Sequence, residues 1–149
     1  MKKPILPPTY FYLALLLMLA LHYLLPGPVW LSSPWTFLGL FPFLAGVALN
    51  LLADAAFKTA GTTVKPYESS THLLTKGVFR ISRHPMYLGF ILILGGIWIY
   101  MGTLMPLLPL VALGLVLERV FIPLEERMLR EQFGEAYNHY ANTARKWFG

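Results

Sequence analysis

The chain has 149 residues, of which 56% are hydrophobic, 15% aromatic and 13% charged. A soluble domain carries about 25% charged residues, so this balance excludes an ordinary water-soluble domain and indicates a chain solvated by lipid. The absence of cysteine excludes disulfides, thiolate metal sites and cysteine nucleophiles. The net charge of +5 would suggest a nucleic-acid partner in a soluble protein, but here the basic residues fall between and after apolar runs, where membrane orientation accounts for them. No nucleic acid is expected.

From Pro4 to Ala53 the chain holds fifty residues without Asp, Glu, Lys or Arg, and from Pro85 to Leu117 thirty-three more. Since about 20 helical residues cross a hydrocarbon core, the first run must cross twice and the second has room to do so. Lys2 and Lys3 before an apolar stretch have the outline of a signal peptide, yet bulky Leu24, Leu25 and Pro26 stand where small cleavage-site residues would be needed. The first span is expected from about Tyr10 to Leu25, stopped by Pro26-Gly27-Pro28. A second follows from about Trp35 to Phe57, with Trp30 and Trp35 suited to a membrane interface. Residues 58–84 are polar and broken by Gly61, Pro66 and Ser69-Ser70, which predicts a loop. Spans at 85–100 and 103–121 would be joined near Tyr100-Met101-Gly102-Thr103. The expected fold is therefore an all-α membrane bundle of about four spans in one domain, covering 1–149.

Lys and Arg set the orientation: two precede the first span, five lie from Lys58 to Arg83 and five from Arg119 to Lys146. With four spans all twelve fall on one side, which predicts cytosolic termini and a cytosolic central loop. A C-terminal amphipathic helix is predicted over 123–144, with Leu129, Phe133, Ala136 and Tyr140 as its apolar stripe. Glu125 and Glu126 project within about 60° of that stripe, whereas Arg127, Arg130, Glu131 and Glu135 point away.

The most informative segment is Arg83-His84-Pro85-Met86-Tyr87-Leu88-Gly89, at the start of the third span. Pro85 suits a first helical position, and the exposed N–H groups of that turn can receive a carboxylate beside Arg83 and His84. Arg83 and His84 would equally serve as headgroup anchors. A hairpin that enters at Pro85 and returns by Arg119 brings this segment to the same face as Glu118, Arg119, Glu125 and Glu126. Such a cluster could bind a cationic cofactor or close the helix ends as an ion-pair network.

Arg83 to Gly89, the preceding Leu73-to-Ser82 segment LLTKGVFRIS, and EERMLREQFGEAYNHY over 125–140 with Trp147 together resemble the isoprenylcysteine carboxyl methyltransferase and phospholipid methyltransferase superfamily. The resemblance runs from about Gly61 to Trp147. It implies S-adenosylmethionine bound at the cytosolic face, with His84, Pro85, Tyr87, Gly89, Glu125 and Glu126 around the cofactor. Arg119 resembles the basic residue before the glutamate pair in the carboxyl methyltransferases. Arg119 or Arg83 would orient an acceptor oxygen or the cofactor carboxylate, and Glu125 joins them as a catalytic candidate. The acceptor is expected to be apolar or membrane-embedded, to present a carboxylate, a thiol or an amine, and to enter from the bilayer. The Gly-x-Gly element of phospholipid N-methyltransferases is missing, as is the long Asn-Pro-containing connection of eukaryotic carboxyl methyltransferases. Membrane sterol reductases have a similar Arg-His-Pro pattern, which keeps an NADPH-dependent reductase open, and a lipid-binding scaffold is the non-catalytic alternative.

Gly46, Asn50 and Asp54 share a face of the second span, either as a polar stripe reaching the cofactor or with Asp54 simply paired to Lys58. His22 reads as an interhelical hydrogen-bonding residue. His72 and His139 lack matching ligands, so no metal is expected. Tyr67, Tyr137 and Tyr140 suit an interface or an apolar stripe, and Gly89, Gly95 and Gly96 give the third span a small-residue surface.

Overall fold

The computed structural model describes residues 5–62 and 71–148, and every element named among them is helical. Tyr67 and the 63–70 part of the expected loop lie outside the described residues, as do Lys2 and Lys3. Helix α1 spans Pro7–Leu24, starting before the expected Tyr10 because prolines fill its first positions, where no N–H is needed. A 3-10 turn, Trp35–Gly39, leads into α2, Leu40–Ala60, which runs past the expected Phe57 and ends on Gly61 at φ 64°, a left-handed cap. Helix α3 is Pro85–Met101 and ends the same way on Gly102 at φ 67°. Gly102 also has no room for a side chain, since a Cβ there would lie 2.2 Å from the Leu31 carbonyl.

The fourth apolar segment differs from expectation at both ends. It starts at Leu107 rather than 103, and it does not stop at 121: α4, Leu107–Val116, passes through a π turn, Leu117–Phe121, into α5, Ile122–Phe133. Pro123 would clash with the carbonyl of an ordinary preceding turn, but the wider π turn directly before it gives the ring room. The helix predicted over 123–144 is instead broken at Gly134, φ 53°, where α6, Glu135–Thr143, begins. The break shifts the helical phase. Tyr137, 1% exposed, faces inward beside Tyr140, and Ala136 of the expected stripe is exposed.

Three helical runs, Pro7–Leu24, Trp35–Ala60 and Leu107–Phe133, are long and apolar enough to cross a membrane. The apolar Pro85–Met101 has 17 residues, ~26 Å of helix against a hydrocarbon core of about 30 Å. The chain is an integral membrane protein, with three long apolar helices and a shorter fourth among the described residues.

Antiparallel α2 and α3 approach through two glycine pairs. A Cβ on Gly39 would lie 2.2 Å from the Gly96 carbonyl, and one on Gly46 would lie 2.6 Å from the Gly89 carbonyl. Both pairs recur every seven residues, which keeps them on one seam of each helix. Asn50 sits on that seam and donates to the Gly46 carbonyl at 3.1 Å. At the opposite end from Pro85, His22 Nδ1 lies 2.8 Å from Thr103 Oγ1, and Trp30 stacks on Trp98. A main core of Met18, Leu94, Leu113, Leu117 and Phe121 joins α1, α3 and α4, and a second core of Ala53, Phe79, Tyr137 and Tyr140 lies under α6.

Gly96→Ala should cost about 1–3 kcal/mol, because its methyl meets α2 backbone rather than a side chain able to move. Gly95→Ala, with nothing within 4 Å of the new Cβ, should leave the melting temperature in detergent unchanged or raised. Equal losses in the two variants would contradict this seam.

Candidate active site at the charged end of the bundle

The start of α3 is held by the chain on either side of it. The 3-10 turn Gly77–Arg80 is fastened to α6 by the Tyr140 hydroxyl, which donates to the Phe79 carbonyl at 2.7 Å. Arg83 follows. Its Nε and Nη2 donate to Glu126 Oε1 at 3.1 and 2.7 Å, and its Nη1 donates to the Ala141 and Ala144 carbonyls at 2.8 and 2.9 Å. Four of the five N–H bonds of a guanidinium are thereby used inside the protein.

His84 caps α3 and is 5% exposed. Its Nδ1 lies 3.2 Å from Glu125 Oε2 and its Nε2 lies 3.2 Å from Glu126 Oε1. Ionised carboxylates only accept hydrogen bonds, so both ring nitrogens are satisfied only in the imidazolium form. Burial alone would lower the His84 pKa, but the hydrogen bonds and negative charges of Glu125 and Glu126 outweigh it and hold the value above the ordinary 6.5. Tyr87 lies one turn further along α3, its ring 4° from parallel with the imidazole, and its hydroxyl donates to Glu125 Oε1. Burial first, then the charge of Glu126, push the Tyr137 phenol up to about 12, which keeps it neutral beside this cluster.

The geometry sorts the residues singled out in the sequence. Arg83, His84, Tyr87, Glu125 and Glu126 form one connected network, and buried Pro85 lies at its edge. Gly89 instead packs on Gly46 and Asn50 of α2. Arg119 is exposed on the π turn and joins no ion pair of the network among the described residues. Glu118 turns to the C-terminal end, with Lys146 Nζ at 3.0 Å and the Trp147 indole N–H on its other oxygen. Asp54 and Lys58 pair at 2.6 Å, the simpler of the two arrangements expected for them. Sequence reasoning did not single out Ser82, which is fully buried and accepts the His84 backbone N–H at 3.0 Å. A serine two residues before a helix cap was the available signal.

A cavity of about 290 Å³ opens beside the network. Leu6, Pro7 and Pro8 at the start of α1 and Phe57 near the end of α2 form apolar wall, and His84, Tyr87 and Glu125 supply polar groups. Here an apolar molecule can lie with one end against a carboxylate and an imidazolium.

The family model described as phospholipid methyltransferase matches residues 34–136, a stretch that contains the whole network. The chain belongs to this phospholipid methyltransferase family. The superfamily resemblance carried by Arg83 to Gly89 and the glutamate pair is thus borne out. A relative from Oryza sativa subsp. indica, named "Probable protein-S-isoprenylcysteine O-methyltransferase", is 38% identical over 113 residues, covering 71% of this chain and 56% of its own. "Protein-S-isoprenylcysteine O-methyltransferase A" of Arabidopsis thaliana is 34% identical over 124 residues, covering 76% and 57%. This family member therefore spans a little over half the length of those relatives. No solved structure matches it.

A raised His84 pKa fixes the sign of a pH effect. The stabilisation it contributes is complete below pH 6.5, the ordinary value, and is lost as pH rises through the elevated folded value. Thermal melts in detergent should fall across that interval, and His84→Gln should flatten this part of the profile; an unchanged slope would reject the imidazolium assignment. Glu126→Gln leaves the Arg83 guanidinium without its carboxylate, and about 3 kcal/mol of stability should go with it in the same melts.

Proposed function

We propose that this protein is an S-adenosylmethionine-dependent methyltransferase whose acceptor is a carboxylate on an apolar, membrane-embedded molecule. Family membership supports methyl transfer, and the engagement of both His84 ring nitrogens supports the choice of acceptor. His84 has both ring nitrogens on carboxylates, Glu126 Oε1 takes Arg83 and His84, and Glu125 takes Tyr87 and His84 on separate oxygens. With both nitrogens donating, His84 has no lone pair with which to act as a base. An amine, protonated near neutral pH, needs a base before it can accept a methyl group, whereas a carboxylate already has its lone pair free. The names of the Oryza sativa and Arabidopsis thaliana relatives are consistent with an oxygen acceptor.

The residues present suit a cationic cofactor, because Glu125 places a carboxylate on a largely apolar cavity wall. When bound, S-adenosylmethionine supplies a methyl group already activated on a sulfonium, leaving the protein to position the partners and exclude water. Glu125, His84, Pro85 and Tyr87 would hold the cofactor, with Glu126 acting through His84. Arg83 is a positioning residue, its N–H groups being engaged on α5 and α6. Phe57 and the first residues of α1 would receive the apolar part of the acceptor. By the one-sided distribution of Lys and Arg, this end of the bundle faces the cytosol, as do both termini.

Each charged hydrogen bond is worth about 1.5–3 kcal/mol, so Glu125→Ala and His84→Ala should weaken S-adenosylmethionine binding tenfold or more in detergent calorimetry. Parental affinity in both variants would refute the site. Tighter binding of NADPH in competition would favour the reductase reading instead. With labelled methyl donor, the product should release its label on mild alkali, as an ester does and a methylamine does not.

A further inference from the structure

Beyond α6 the chain forms a short strap over residues 144–148 that reaches both halves of the charged network without entering the cavity. At one end the Arg145 carbonyl accepts the Arg83 backbone N–H at 3.0 Å, and the Lys146 carbonyl accepts the Ser82 hydroxyl at 3.0 Å. At the other, Lys146 Nζ and the Trp147 indole N–H hold the two oxygens of Glu118. The Trp147 ring packs on the main core, which includes Phe121 and Ile122.

A hydroxyl has one proton to donate. Ser82 gives it to Lys146, which fixes the rotor and turns a lone pair to the His84 N–H at 3.0 Å. Ser82 is fully buried, so water cannot replace either partner. Glu118 belongs to the continuous helix that carries Glu125 and Glu126, so the strap grips the carboxylates' helix with side chains and the histidine's segment with backbone. We propose that the strap, anchored on Glu118 and transmitted through Ser82, is the positioning device that registers His84 between Glu125 and Glu126. Its effect on cofactor binding rests on the proposed site, whereas its effect on the imidazole does not.

The test uses the full chain in detergent with labelled histidine. His84 is titrated by NMR and S-adenosylmethionine binding is measured by calorimetry in Ser82→Ala, Glu118→Gln and Trp147→Phe, the last keeping an aromatic ring against the core while losing the indole N–H and the fused five-membered ring. All three should move the His84 titration down towards its ordinary value and weaken cofactor binding about tenfold. Lys146→Arg, which keeps a cation on Glu118, should restore parental behaviour. Variants that melt earlier yet keep the parental His84 titration would overturn the proposal and leave the strap a tail anchor. Should Ser82→Ala or Glu118→Gln not fold, Trp147→Phe decides alone. If the parent binds no S-adenosylmethionine, the proposed function falls while the titration still judges the strap.

Discussion

The Arg83 guanidinium joins three pieces of chain that the sequence keeps far apart: the segment before α3, the glutamate pair on α5 and the last carbonyls around the end of α6. Each contact alone is modest, but they share one rigid, planar group, so the three pieces cannot shift independently. A lysine would supply one charge without the fork. Because Glu126 is fixed by Arg83, it can hold one side of His84, and because His84 is held, its other nitrogen faces Glu125. The geometry of the candidate site is therefore inherited from the contacts of Arg83 with α5 and α6.

Charge balance explains why such a cluster is tolerated beside apolar walls. Arg83 and the His84 imidazolium offset Glu125 and Glu126, and every close contact among them places a donor on an acceptor. Four partly buried ionisable groups with fewer hydrogen bonds would carry a desolvation cost that their attraction does not offset. The same balance bears on Glu125. Its neighbours hold it oriented, yet it remains on the cavity wall, where a cationic group would meet little competing solvent.

The membrane helices and the convergence of Arg83 and His84 with the glutamates were legible in the sequence because both depend on long-range patterning: uncharged runs, one-sided basic residues and a hairpin that returns to its starting face. What was not legible is local. Pro123 reads as a helix stop unless the π turn before it is known, and that turn depends on tertiary packing rather than on propensity. Gly134 looks like an ordinary interruption of an amphipathic stripe, but its φ of 53° resets the phase and exchanges Ala136 for Tyr137 at the core. The seven-residue recurrence of Gly39 with Gly46 and of Gly89 with Gly96 was present to be read, and it assigns Gly89 to helix packing. Arg119 shows the limit of hairpin reasoning, which brings a residue to the correct end of a bundle without saying which way it faces.

The division of labour around the cavity separates its shape from its charge. The polar network uses the start of α3, α5 and the contacts beyond it, whereas much of the apolar wall comes from the start of α1 and the end of α2. Those wall residues make no hydrogen bond to the network, so Leu6, Pro7, Pro8 or Phe57 can change without disturbing the charge balance that holds Glu125. A change in the network itself is different, since an unpaired carboxylate or guanidinium there is destabilising. Shape is thus free to vary on one side of the cavity while the other stays under the constraint imposed by Arg83.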